Sequence, residues 1–142
     1  MIPAALLREY RRRFLTLYDR ADLYVPFIER SLDLLAKNGK LGFICADRWM
    51  KNRYGGPLRA LVSRNFHLRA YVDMADTRAF HSEVMAYPAI TLIANEPSGP
   101  TRVAAQPDPR RAVEGLRLLP VETRQRNVAG FRHPRRAWRQ LA

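Results

Sequence analysis

Residues 39–59 read GKLGFICADRWMKNRYGGPLR. The first part, Lys40 to Ala46, is an unbroken apolar run that directly follows the helix-stopping pair Asn38-Gly39. A short run of this kind after a helix predicts a central parallel strand buried on both faces. The chain then changes character at once. Arg48, Trp49, Lys51, Arg53 and Tyr54 crowd together. Cations and flat rings at that density suit contacts with phosphates and bases. Pro57 then opens a helix, because a missing N–H costs nothing at the first helical position. Leu58, Leu61, Val62 and Phe66 supply its buried side.

Upstream, Leu7, Tyr10, Phe14 and Leu17 recur at helical spacing. The block Arg11, Arg12, Arg13 reads equally as a solvated helix face or a phosphate-contacting one. A second helix is predicted from about Asp22 to Lys37. Asp22 is its expected N-cap, and Pro26 falls in its first turn. Tyr24, Ile28, Leu32 and Leu35 form its stripe, with Leu23 and Phe27 beside it. Gly39 is expected to take the left-handed conformation that ends it. Downstream, Leu68, Ala70, Val72 and Met74 alternate with Arg69, Tyr71 and Asp73, a strand pattern, and AYPAITLIA at 86–94 is a further apolar strand. Helix, strand, helix, strand, strand reads as half of a wound α/β sheet that finishes with two adjacent strands. Residues 97–142 are broken by prolines and rich in arginine, and are expected to be an extended or partly ordered basic segment.

The chain has 142 residues, about one domain's worth. Lys+Arg number 25 against 13 Asp+Glu, a net charge of +12, and Lys37, Lys40 and Lys51 are the only lysines. The planar fork of arginine favours a polyanion partner, with nucleic acid first. Cys45 is the only cysteine, which excludes an internal disulfide framework and fits a reducing, cytoplasmic compartment. No stretch reads as a membrane span or signal peptide, so no membrane partner is expected. There is no glycine-rich dinucleotide or phosphate loop, and His67, His81 and His133 stand far apart without metal-ligand spacing. No catalytic residue and no metal site is assigned.

Asp22-Leu23-Tyr24, Gly39 to Ala46, Arg48-Trp49, Phe80 and Tyr87-Pro88-Ala89-Ile90 keep an order and spacing that resemble a known family. It is the adenine-specific DNA methyltransferase domain of type II restriction–modification enzymes, and the match runs over about residues 1–96. The resemblance implies an α/β fold, the C-terminal half of a Rossmann-like sheet that uses S-adenosylmethionine. The family's glycine-rich methyl-donor loop and Asn-Pro-Pro-Tyr motif lie N-terminal to the helix beginning near Asp22, and this sequence has neither. Residues 97–142 would lead towards a target-recognition domain. The implied activity is methyl transfer to adenine N6 in DNA, with this chain inactive alone. The implied partners are double-stranded DNA and an N-terminal methyltransferase half.

The resemblance also assigns roles to single residues. Phe80 matches the ring that stacks on the extruded adenine, and Phe27 a position against the adenine of S-adenosylmethionine. Arg48, Lys51 and Arg53 would reach DNA phosphates, and Trp49 or Tyr54 would stack or wedge, at a strand end of the kind where α/β sheets bind ligands. Trp49 packing against the following helix is the alternative for that residue. For the whole chain, the competing readings are a non-catalytic basic DNA- or RNA-binding module and a complementing subunit of a split methyltransferase.

Overall fold

The computed structural model describes residues 4–75 and 87–105. Helix α1 spans Ala4–Arg13 and α2 Tyr24–Asp33, followed by strand β1, Lys40–Ala46. A short helix α3, Arg48–Lys51, and a 3-10 turn, Arg53–Gly55, lead into α4, Gly56–Asn65. Strands β2 (His67–Asp73), β3 (Pro88–Ala94) and β4 (Arg102–Ala105) complete the order. The four strands form one mixed sheet, β1-β3-β2-β4. β3 is antiparallel to both β1 and β2, and β4 is parallel to β2. β1 and β2 therefore point the same way, and α4 lies on the crossover that joins them, as parallel strands require. Among the described residues, no helix is long and apolar enough to cross a membrane.

The helices bury their apolar sides on one face of this sheet. Val25, Ile28 and Leu32 of α2, Leu58 and Val62 of α4, Trp49, Met50, Leu68, Tyr71, Ala89 and Ile93 form one core cluster. Leu7 and Tyr10 of α1 pack against it with Phe14. The buried carboxylate of Glu29 anchors the chain after α1, accepting from the backbone N–H groups of Leu15 and Thr16, both at 2.9 Å, and from the Thr16 hydroxyl. Paired this way, a carboxylate can sit in the interior without the penalty of an unmet polar group.

Four expectations need correction. β1 is not a central strand buried on both faces. Among the described residues it pairs only with β3, and only Leu41, Phe43 and Cys45 pack on the core, while Gly42 and Ile44 are exposed. An apolar run does not by itself distinguish one buried face from two. The alternation in β2 breaks at a bulge. Leu68 faces Ile93 and Ala70 faces Leu92, so Arg69 is the extra residue, and beyond it Tyr71 and Asp73 turn to the core. One inserted residue exchanges the two faces of everything that follows.

The stretch after β3 is also not wholly irregular. β2 and β3 are adjacent, but β4 adds to the other side of β2 from within the stretch expected to be irregular. The Thr101 hydroxyl, donating to the Leu68 carbonyl at 2.7 Å, fastens its start. Four residues are too few to display a strand period. Finally, α2 uses different ends from those expected. Leu23 holds the N-cap position without a side-chain cap, and Asn38, at φ 63°, takes the left-handed conformation. Gly39 is required for another reason: a Cβ there would stand 2.8 Å from the Ala36 carbonyl oxygen. The Asn95 amide, at the end of β3, donates to the carbonyls of Leu35 and Ala36 at 3.0 and 3.2 Å and closes the helix end.

Candidate functional site

The carboxyl ends of β1 and β2 meet the start of β3. The Asp47 N–H donates to the Tyr87 carbonyl at 2.8 Å, and the Met74 N–H to the Pro88 carbonyl at 3.0 Å. The Lys51 ammonium bridges the buried carboxylates of Asp47 and Asp73, lying 3.4 Å from Asp73 Oδ2. Asp73 Oδ1 accepts from the Ala75 N–H at 2.9 Å. One cation thus joins α3 to the end of β2.

The turn after α3 is pinned from several directions. A Cβ on Gly55 would fall on the Trp49 carbonyl, so only glycine lets the 3-10 turn lie this close. Arg59 of α4 donates through Nη1 to the carbonyls of Trp49 and Asn52 at 2.5 and 2.9 Å. Burial pulls the Arg59 guanidinium below its ordinary pKa. On the other side, the Tyr54 hydroxyl donates to Asp22 Oδ2 at 2.9 Å and lies 2.7 Å from the Tyr24 hydroxyl. Since Tyr54 gives its proton to the carboxylate, Tyr24 is the donor in the second bond. Burial, first of all, pushes the Tyr54 phenol up to about 12 and Tyr24 higher still, so both hydroxyls stay neutral donors. The relay ties the start of α2 to the basic turn.

The five residues of that turn separate into two groups. Arg48 and Arg53 are exposed, and no hydrogen bond or ion pair holds either among the described residues. They remain available to an anion. Trp49 is 0% exposed and part of the core, so this arrangement does not let it stack or wedge against DNA. Its indole follows the alternative reading and packs inward. Lys51 is committed to Asp47 and Asp73, and half-buried Tyr54 to Asp22 and Tyr24. Phe27 is 64% exposed on α2, so its ring is open to a ligand. Phe80 lies outside the described residues. Asp47 and Asp73 were not singled out in the sequence, although each is the first acidic residue to end an apolar strand pattern. His67 is buried, with ring nitrogens 2.6 Å from Glu96 Oε1 and 3.1 Å from the Pro100 carbonyl.

The family described as Eco57I restriction-modification methylase matches residues 4–80, more than half of the chain. The chain belongs to the Eco57I restriction-modification methylase family. It is similar to the type II methyltransferase M.PaeR7I of Pseudomonas aeruginosa, 67% identical over 112 residues, covering 79% of this chain and 20% of that protein. M.XhoI of Xanthomonas vasicola is 62% identical over 75% of this chain and 20% of its own length. The type II restriction enzyme and methyltransferase RM.Eco57I of Escherichia coli is 32% identical over 52% of this chain and 7% of its own. The chain therefore spans about one fifth of the length of M.PaeR7I and M.XhoI.

Solved structures share the fold of this methylase-family chain. A Listeria monocytogenes protein described as a class I S-adenosylmethionine-dependent methyltransferase superposes with a TM-score of 0.62 at 15% identity, over 85% of this chain and 38% of that one. The DrdV–DNA complex superposes with a TM-score of 0.57 at 18% identity, over 82% of this chain and 14% of that one. At these identities the likeness is one of fold, a mixed α/β sheet of the Rossmann-like methyltransferase kind.

Proposed function

We propose that this chain forms the C-terminal part of the catalytic domain of a restriction–modification DNA methyltransferase, which moves a methyl group from S-adenosylmethionine to adenine N6. The 67% identity to M.PaeR7I across 79% of the chain carries the reading. In it, residues 1–96 belong to the catalytic domain and 97–142 lead towards a target-recognition domain. The carboxyl ends of β1 and β2 contribute one wall of the site. Arg48 and Arg53 bind DNA phosphates there. Lys51, held by Asp47 and Asp73, and Tyr54, held by Asp22 and Tyr24, keep the turn in place. Phe27 offers an apolar surface to the adenine of the methyl donor, and Phe80 stacks on the target base. These residues shape one wall of the site. Their chemistry is binding and orientation, which contribute through placement of the reacting atoms. Taken alone, the chain is inactive.

The test is a chimera in which the matched segment of M.PaeR7I is replaced by residues of this chain. It should transfer labelled methyl groups from S-adenosylmethionine to DNA, and digestion of that DNA should yield N6-methyladenine. A soluble chimera that binds S-adenosylmethionine and transfers nothing would overturn the reading. A different methylated base would overturn the assignment to adenine.

A further inference from the structure

A depression of about 280 Å³ lies at the end of the sheet opposite the candidate site. Three segments wall it: the turn before β1 with Lys37 and Asn38, the end of α4 with Arg64 and Asn65, and the stretch after β3 from Asn95 to Ser98. The seven residues of β1 separate it from Arg48, a span of roughly 20 Å in an extended chain. The walls are tied together by bonds that leave most of its polar side chains unused. The Asn38 N–H donates to the Asn95 carbonyl and the Asn95 N–H to the Gly39 carbonyl, both at 2.9 Å. The Asn95 side-chain amide donates to the end of α2. His67, at the start of β2, holds Glu96 and meets the Pro100 carbonyl, and a Cβ on Gly99 would stand 3.0 Å from its ring. The Lys37 ammonium, the Arg64 guanidinium, the side-chain amides of Asn38 and Asn65 and the Ser98 hydroxyl have no partner among the described residues. Glu96 is the one acid in the lining, and it is already taken by His67 at 2.6 Å and Arg69 at 3.1 Å.

We propose that this depression binds a small oxyanion of the phosphate class. Lys37 and Arg64 supply charge, and two amides and a hydroxyl supply further hydrogen bonds. Bonds from cations to an oxyanion are the strong ones. A metal ion would instead meet two uncompensated positive charges. No aromatic ring lines the depression, so nothing there stacks on a base. Its volume also falls below the about 300–1,000 Å³ of pockets that take drug-sized ligands. Both features exclude a nucleoside and leave room for a phosphate group. The walls are fixed before the anion arrives, so little ordering opposes binding. Arg64 stands in the last turn of α4, where a cation also offsets the negative end of the helix. That role needs neither Lys37 nor the two amides. The phosphate is free or carried by a small molecule, because in the proposed function duplex DNA meets Arg48 and Arg53 at the other end of β1.

The experiment titrates inorganic phosphate into the full 142-residue chain, labelled with nitrogen-15, at an ionic strength held constant with chloride. The side-chain amide signals of Asn38 and Asn65 report on the depression directly. Both should shift and saturate. Lys37→Ala and Arg64→Ala should each raise the dissociation constant about tenfold, the lower range for losing a hydrogen bond to a charged group. Arg30→Ala, at an exposed cation of α2 outside the lining, should leave it unchanged. Circular dichroism of each variant should match the parent, since all three side chains are exposed. Shifts that never saturate, or an affinity indifferent to both Lys37→Ala and Arg64→Ala, would overturn the site. A short duplex without terminal phosphates separates the two sources of phosphate, and it should leave the Asn65 signal in place. A duplex that moves this signal where free phosphate does not would overturn the small-anion site and assign the surface to the DNA backbone.

Discussion

Along β3, Ala89, Thr91 and Ile93 are buried, while Ile90 between them is 38% exposed. Along β1, Phe43 and Cys45 pack on the core, while Ile44 between them is 55% exposed. The exposed isoleucines are at least as apolar as their buried neighbours one position away. What separates them is the layer they meet: α2, α4 and Trp49 cover one face, and none of the described helices joins the core through the other. The same division runs through the turn after β1, where Trp49 and Lys51 serve the interior and Arg48 and Arg53 face outward. Burial here is a property of neighbours more than of side-chain type.

The sharpest way to break this comparison is to delete matching side chains from the two faces. Ile93→Ala should destabilise by about 2–5 kcal/mol, the cost of a cavity in a packed core. Urea unfolding followed by fluorescence would measure it. Next in size is Lys51→Met, which leaves the buried carboxylates of Asp47 and Asp73 beside each other without their cation. A fully buried pair loses about 3–5 kcal/mol in this way, and the partial exposure of Lys51 reduces the expectation to about 2–3 kcal/mol. Arg53→Ala, a few residues away, should leave stability unchanged and lower affinity for duplex DNA. If Lys51→Met weakened DNA binding and spared stability, the inward assignment would fail. Gly55→Ala should cost about 1–3 kcal/mol, because the turn must move off the Trp49 carbonyl.

A smaller effect separates the two edges of the sheet. His67, donating to Glu96, holds that carboxyl below its ordinary value of 4.5, with Arg69 adding to the shift, and the same imidazole meets the Pro100 carbonyl before β4. A depressed carboxyl contributes stability above its unfolded pKa and loses it as the pH falls through the folded one. The difference in Tm between the parent and Glu96→Gln should therefore be present at about pH 6 and shrink as the pH falls below the ordinary carboxylate range. A gap that persisted in acid would show that the ion pair does not fasten the β4 strap. The smallest change is expected on the open face, where Ile44→Thr should alter stability of the isolated chain by no more than about 0.5 kcal/mol. A loss comparable to that of Ile93→Ala would mean that Ile44 is covered, and would remove the asymmetry between the two faces of the sheet.

Several features were legible in the residues because they depend on local chemistry. The helical period of α2 and the proline at the start of α4 act within a few residues of themselves. So does the crowding of cations after β1. Other features needed partners distant in the chain. Nothing local tells Trp49 from Tyr54; the first joins the core with Leu58 and Val62 of α4, and the second finds Asp22. Lys51 looks like Arg53 until Asp73 arrives from β2. Asn95 closes α2 from the far end of β3, and Glu29 receives the backbone of Leu15 and Thr16. The bulge at Arg69 is one residue in length, yet it exchanges the faces of Tyr71 and Val72.

By itself, then, the sequence determined the order of the longer helices and strands as far as β3, the basic character of the chain and the motifs of its family, since each is written in neighbouring residues. Tertiary structure alone decided which strand lies at an edge, which of two equal cations stays outside, and which apolar face remains open. Those outcomes depend on long-range pairing, and pairing joins residues whose local patterns are indistinguishable.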